Sequence, residues 1–300
     1  MKTSYQLILA ALAVCITASC SSGHDETPEP IKIPISLSCG ITPIATRATD
    51  NGFETNDRIG LYVVNYNGNT PGTLLSGGNH VDNMQFTYNG TWTPSTAIYW
   101  KDDSTPADFY CYYPYGNDPT DVSALPFEVM ADQSTEANYK ACDFMWGKAT
   151  NVSPTEQVVQ IKLNHLFSCA VVKVAAGNGF TDEALAASDV QVKLNHAMRK
   201  AAINLNDGSL SPQGETGSVT FLRGTDNEFK ALVIPQNISS TADFITVTID
   251  GKDFNMEKGF SFVSGHRHTF TVTVKKTSNG INVDIGAWVD DGTDNGGIAE

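Results

Sequence analysis

Positive charge is scarce in this chain: 19 Lys and Arg stand against 33 Asp and Glu, for a net charge of −14. A nucleic-acid partner needs a basic footprint that displaces condensed counterions, so none is expected. Cysteine is also thin, with six residues in 300 at spacings that match no zinc site and are too sparse for a disulfide-dependent scaffold. The apolar run at residues 7–16 is too short to cross a bilayer as a stable helix. There is no G-x-S-x-G elbow, no phosphate-binding glycine loop and no H-E-x-x-H segment, and nothing singles out an acid–base pair among the scattered carboxylates. The chain is therefore not read as an enzyme, and no cofactor is expected.

What the sequence does have is 41% hydrophobic residues, enough for a substantial core, over a length that suits two domains. Its 25 glycines, with many Thr and Asn, fit a turn-rich all-β chain. Residues 1–19 have the anatomy of an export signal: Lys2, the apolar run, then Ala18 and Ser19 before Cys20. The segment Thr17, Ala18, Ser19, Cys20 resembles a bacterial lipoprotein signal, with Thr17 where Leu is commonest, and makes Cys20 the expected lipidation site. Several acyl chains there would anchor the protein stably in a membrane. Residues 20–30 hold Ser, Gly, Asp, Glu and two prolines, a composition that buries nothing and serves as a flexible tether.

The rest of the chain is organised around residues 31–64. Ile31, Ile33, Ile35 and Leu37 alternate with Lys32, Pro34, Ser36 and Ser38, the period of a half-buried strand, and Pro34 marks it as an edge. A soft loop of small and polar residues follows, with Arg47 as its one strong protease determinant, and a second strand occupies 59–64. The expectation is that a protease cuts after Arg47, so that the first strand is temporary and leaves a groove. That cut would also remove Cys39, so a Cys39 disulfide would oppose it. Cys111, Cys142 and Cys169 sit in apolar runs, as small buried hydrophobes do.

Short strands and turns then recur at intervals of about ten residues, the signature of a sandwich or barrel. Asn89-Gly90 and Asp250-Gly251 are hairpin signals, and Thr181 followed by Asp182 and Glu183 predicts a short capped helix. Residues 117–139 read as a long loop. The polar stretch 148–156 is taken as the domain boundary, dividing residues 31–155 from 156–289, with an acidic glycine-rich tail at 290–300. Rings in the segment FYCYYPY more often fill a core than bind sugar, although Tyr110, Tyr112, Tyr113 and Trp92 would form the platform of a monomeric glycan-binding protein. His165, beside apolar strands, reads as a structural histidine. His266 and His268 share a strand face but lack an evident third ligand, and Asp290, Asp291, Asp294 and Asn295 miss the EF-hand spacing, so no metal site is assigned.

The lipoprotein-like start, RIGLYVV after an arginine-containing loop, AIYWKDDSTPADFYCYYPY, DFMWG, LNHLFSCAVVKV and the closing GHRHTFTVTVKK with INVDIGAWVDDG occur in one order, and together the chain resembles the fimbrillin-like proteins of Gram-negative gut and oral anaerobes. The resemblance implies two tandem transthyretin-like β-sandwich domains in a subunit of a type V pilus or a related surface adhesin. It implies export to the outer membrane on a lipid anchor, removal of the strand at residues 31–38 by an arginine-specific protease at Arg47, and insertion of another subunit's C-terminal strand. The partners would be other pilus subunits, the protease and a receptor on a host or bacterial surface. Ile281, Val283, Ile285, Trp288 and Val289 are the candidates for the donated strand, unless the protein is a tip or accessory subunit that accepts a strand without giving one.

Overall fold

A computed structural model describes residues 32–42, 52–116, 119–277 and 280–285, with side chains through Lys275. The N-terminal half supplies β1 (Leu37–Ile41), β2 (Arg58–Asn65), β3 (Val81–Tyr88), β4 (Trp92–Pro94), β5 (Ala107–Tyr113), β6 (Leu125–Glu128), α1 (Glu136–Ala141), β7 (Met145–Val152) and β8 (Val159–His165). The C-terminal half supplies β9 (Ser168–Ala176), α2 (Asp182–Ala187), β10 (Val190–Ile203), β11 (Leu210–Thr220), β12 (Leu222–Arg223), β13 (Glu228–Val233), β14 (Asn237–Ile249), β15 (Lys252–Ser261), β16 (Arg267–Thr277) and β17 (Gly280–Ile285). The protein is all-β with two short helices among the described residues.

Local chemistry explains many of the corners. Gly90 turns β3 into β4 at φ 85°, and Asp250 and Gly251 turn β14 into β15 at φ 48° and 78°, with Ile249 paired to Lys252. Two successive positive φ values give a hairpin turn whose twist matches its strands. The Thr181 hydroxyl accepts from the Ala184 N–H at 3.2 Å and caps α2, as its sequence predicts. Thr135 caps α1 in the same way, inside the stretch read as loop from its prolines and acidic residues. That stretch also contains β6, so its irregular composition concealed two elements too short to show a period.

The strands form three sheets. The first runs β1-β8-β7-β5-β2-β3-β4; the second runs β11-β10-β14-β15 with β6 added against β10; the third runs β12-β13-β9-β16-β17. Three cores follow. The first sheet curls around Ile59, Leu61, Phe86, Phe109 and Leu163, and the second and third sheets enclose Val172, Val192, Phe229, Phe244 and Val272. Between these bodies, the outer faces of the first and third sheets meet through Tyr62, Tyr112, Val171 and Leu232, with Phe144 and Phe167 filling the seam.

Several strands are therefore buried on both faces. In β5, Phe109 and Cys111 enter the first core while Tyr110 and Tyr112 enter the seam. The seam is also polar in places: buried Gln133 accepts from the Leu232 N–H at 2.8 Å and donates to the Leu232 carbonyl at 2.9 Å, acting as a one-residue strand partner for β13. A buried amide satisfied on both sides avoids the desolvation cost of an orphaned group.

The division at 155/156 crosses hydrogen-bonded sheets in two places. β8 lies after it yet pairs with β7 and β1 in the first sheet, and β6 lies before it yet pairs with β10 in the second. The polar stretch 148–156 is itself strand through Val152. Its polarity reflects exposure of the far end of β7. β10 runs as one strand through a register shift between Leu194 and Ala197, at which His196 adopts φ 59°.

Candidate functional site: the strand that closes the first sheet

The two edges of the first sheet come together. β1 pairs in parallel with β8, from Leu37↔Val159 to Ile41↔Leu163. On the other side, the Ile35 N–H donates to the Ile98 carbonyl and the Trp100 N–H donates to the Ile33 carbonyl, both at 2.9 Å. Trp92, on the opposite edge strand β4, donates its indole N–H to the Cys39 carbonyl at 3.1 Å. Residues 33–41 thus stitch the curled sheet closed. Ile35, Leu37 and Cys39 are buried inside it.

This geometry refines the sequence reading in three ways. The strand extends to Ile41, past Ser38, and its apolar alternation continues through Cys39, a residue the hydrophobic count at residues 31–38 leaves out. The stretch 96–100 reads as strand-like, but its pairing with residues 33–35 is not named by the sequence, since alternation marks a buried face and not the strand beside it. Cys39 meets Cys111 across the core, with Sγ atoms 3.7 Å apart. Arg58, the next arginine along the chain after Arg47, opens β2 and pairs with Thr87.

Without residues 33–41 the roll would present the free edge of β8 beside a trough lined by Ile98, Trp100, Phe109, Cys111 and Ile161. An unpaired edge next to an apolar floor is the physical condition for strand addition. Among the donor candidates, Ile281, Val283 and Ile285 lie in β17, the edge strand of the third sheet, opposite Lys276, Val274 and Val272 of β16. Cys20, Ile31, Arg47, Trp288, Val289 and the tail carboxylates lie outside the described residues.

The aromatic platform of a glycan-binding reading is overturned. Tyr112 is 2% exposed, Tyr110 5% and Trp92 7%, and Tyr113 packs against the first core. Burial pushes the Tyr112 phenol above its usual range, and its hydroxyl donates to Asn83 at 2.8 Å. The reason is topological: β5 lies in mid-sheet with a core on each face, so both sides of its alternation are interior.

The polar clusters fasten strands. Asp108, buried in β5, accepts from the Asn151 N–H at 2.8 Å and lies 3.4 Å from Lys148 Nζ, which reaches the Tyr110 hydroxyl at 3.0 Å. His165 Nδ1 lies 2.9 Å from Asp143, in the structural role expected of it.

His266 and His268 stack with centroids 6.0 Å apart, and His268 Nε2 accepts from the Val263 N–H at 3.2 Å. Burial first, and then the neighbouring His266, lowers the His268 pKa from 6.5. The unfolded chain then binds a proton that the folded one refuses, so stability is present above about pH 6.5 and is lost as pH falls through the folded pKa. Thermal melts from pH 7 to 5 are expected to show a falling midpoint, with a shallower fall in His268→Phe. Equal slopes in the two proteins would rule this out.

The fimbrillin-like family matches residues 46–288, a span that opens one residue before Arg47. A Bacteroides uniformis relative, named as a candidate fimbrium subunit Fim1C, is 27% identical over 318 residues, covering 98% of this chain and 97% of its own. A Bacteroides ovatus relative, named as a candidate fimbrium tip subunit Fim1C, is 29% identical over 191 residues; these cover 56% of this chain and 34% of that protein. The crystal structure of a candidate cell-adhesion protein from Bacteroides uniformis shares the fold, with a TM-score of 0.61 at 22% identity over 84% of this chain and 97% of its own. The match over residues 46–288 places the chain in the fimbrillin-like family.

Proposed function

We propose that the protein is a structural and adhesive subunit of a cell-surface fimbria, carried to the outer membrane on a lipid anchor at Cys20 and activated by cleavage after Arg47. The observation that carries this reading is the position of residues 33–41: they close the first sheet from both sides and join the rest of the chain through the segment that holds Arg47. A single cut there frees the closing strand without severing another described strand. Arg58 is the poorer site, because its backbone is already committed to the β2 ladder. The fimbrium names of the two relatives support the same reading.

In this proposal the freed groove accepts a strand from another subunit, and the two bodies of the molecule serve as transthyretin-like sandwiches. Residues 1–47 hold three basic residues (Lys2, Lys32, Arg47) and three acidic ones (Asp25, Glu26, Glu29), so the cut product keeps a net charge of −14. Assembly then proceeds against like-charge repulsion and is driven by apolar burial and ladder hydrogen bonds. Residues 281–289 would be the donated strand; if they stay paired to β16, the protein is a tip or accessory subunit, which the name of the Bacteroides ovatus relative favours.

The test is to incubate the full-length protein with an arginine-specific protease and sequence the new N-terminus. Ala48 is expected, together with a product that binds a peptide of residues 280–289. An intact Arg47–Ala48 bond, or a cut product that neither assembles nor takes up a strand, overturns the proposal.

A further inference from the structure

We infer that Cys39 and Cys111 form a site for a reversible disulfide that bolts the closing strand to the floor of the first sheet. Cys39 lies on β1 and Cys111 on β5, two strands separated within the sheet by β8 and β7. The curl of the sheet nevertheless brings their Sγ atoms to 3.7 Å in the buried core, 72 residues apart in sequence. A disulfide requires an S–S distance of about 2.05 Å, so the two sulfurs would have to approach by roughly a further 1.7 Å. The other buried thiols among the described residues have different neighbours: Cys142 accepts from the Met130 N–H at 3.1 Å and Cys169 lies 3.7 Å from the Tyr139 hydroxyl.

The chemistry balances as thiol–disulfide exchange with a donor of the thiol–disulfide oxidoreductase class. One thiolate of the pair attacks the donor disulfide and forms a mixed disulfide; the second thiolate displaces the donor. Two thiols and one disulfide become one disulfide and two thiols. Burial, with the adjacent Cys39 next in effect, holds the Cys111 thiol well above its ordinary range, and both sulfurs lie inside the closed core, away from a donor. The bond is therefore made while β1 is docking, during folding, and is poorly formed once the core has closed.

The consequence for assembly rests on the proposed cleavage at Arg47. With the disulfide in place the cut strand stays attached through Cys39, and its return to the groove is intramolecular, at an effective concentration of about millimolar. A competing strand peptide at about 10 µM is then outcompeted by roughly a hundredfold. The disulfide thus opposes loss of the strand but not the cut itself: cleavage and release become separate steps, and reduction is the second one. The site thus makes strand exchange conditional on the redox state of the surroundings.

The experiment refolds the full-length protein in a mixture of reduced and oxidised glutathione, blocks free thiols and maps tryptic peptides without reduction. The expected result is a linked pair, residues 33–47 joined to residues 102–140, that separates on reduction. The same oxidant added to the already folded, reduced protein is expected to yield far less of it. Finding both peptides fully alkylated after oxidative refolding overturns the inference. A second arm cleaves the refolded protein with an arginine-specific protease: residues 1–47 should remain on the body until reductant is added, whereas Cys39→Ala should lose them without it. Absence of an Ala48 N-terminus in every arm defeats the cleavage proposal and leaves the peptide map to decide the disulfide by itself.

Discussion

A chain that begins at Ala48 is expected to melt roughly 6–20 °C below the full-length protein. Ile35 and Leu37 are buried in the roll, where such side chains are worth about 1.5–3 kcal/mol each, and the smaller Cys39 is buried beside them. The hydrogen bonds to β8 and to residues 98–100 add to this, while the entropy of ordering the segment opposes it, leaving a net loss of about 3–5 kcal/mol. Adding a peptide of residues 31–42 should restore most of the midpoint, since the peptide carries the same apolar alternation into the same trough. An unchanged midpoint, with no binding of that peptide in calorimetry, would mean that the closing strand contributes nothing to the first core and that its removal opens no groove.

Gly147→Ala should be the most damaging small substitution in the first sheet. Gly147 lies on β7 between β5 and β8, and a Cβ there would be driven into the carbonyl of Lys162, a backbone atom that cannot rotate aside. β8 would have to move off β7 and would carry β1 with it. Overpacking of this kind costs about 1–3 kcal/mol and here should exceed that range, because the obstruction is a neighbouring strand's backbone. Gly40→Ala is the matched control: it lies on β1, its Cβ would meet no heavy atom within 4 Å, and its effect should stay within about 0.5 kcal/mol. Urea denaturation of both variants distinguishes them; equal midpoints would show that β7 and β8 separate easily.

The closing strand was partly legible in the sequence. The alternation Ile33, Ile35, Leu37 signals a buried face, and Pro34 signals an edge. Its end was misplaced, because the alternation continues through Cys39, a residue whose apolar character shows only in its surroundings. The aromatic strand β5 was legible as core, but not as core on both faces, since the same seven residues would serve a half-buried strand equally well. Residues 148–156 misled for the opposite reason: exposure makes the end of β7 polar, and a polar stretch between apolar ones looks like a linker.

By itself the sequence determined the local events. The turns at Asn89-Gly90 and Asp250-Gly251, the cap at Thr181 and the period-two faces of the strands all follow from backbone sterics and hydrogen bonding within a few residues. Only the tertiary structure decided which strands became neighbours: β6 and β8 crossing the expected boundary, Ile98 and Trp100 receiving the N-terminal strand, and Cys39 facing Cys111. Period-two alternation states which face is buried but carries no address for its partner. That address comes from the curl of the first sheet, which brings its two edges together over the apolar floor closed by residues 33–41.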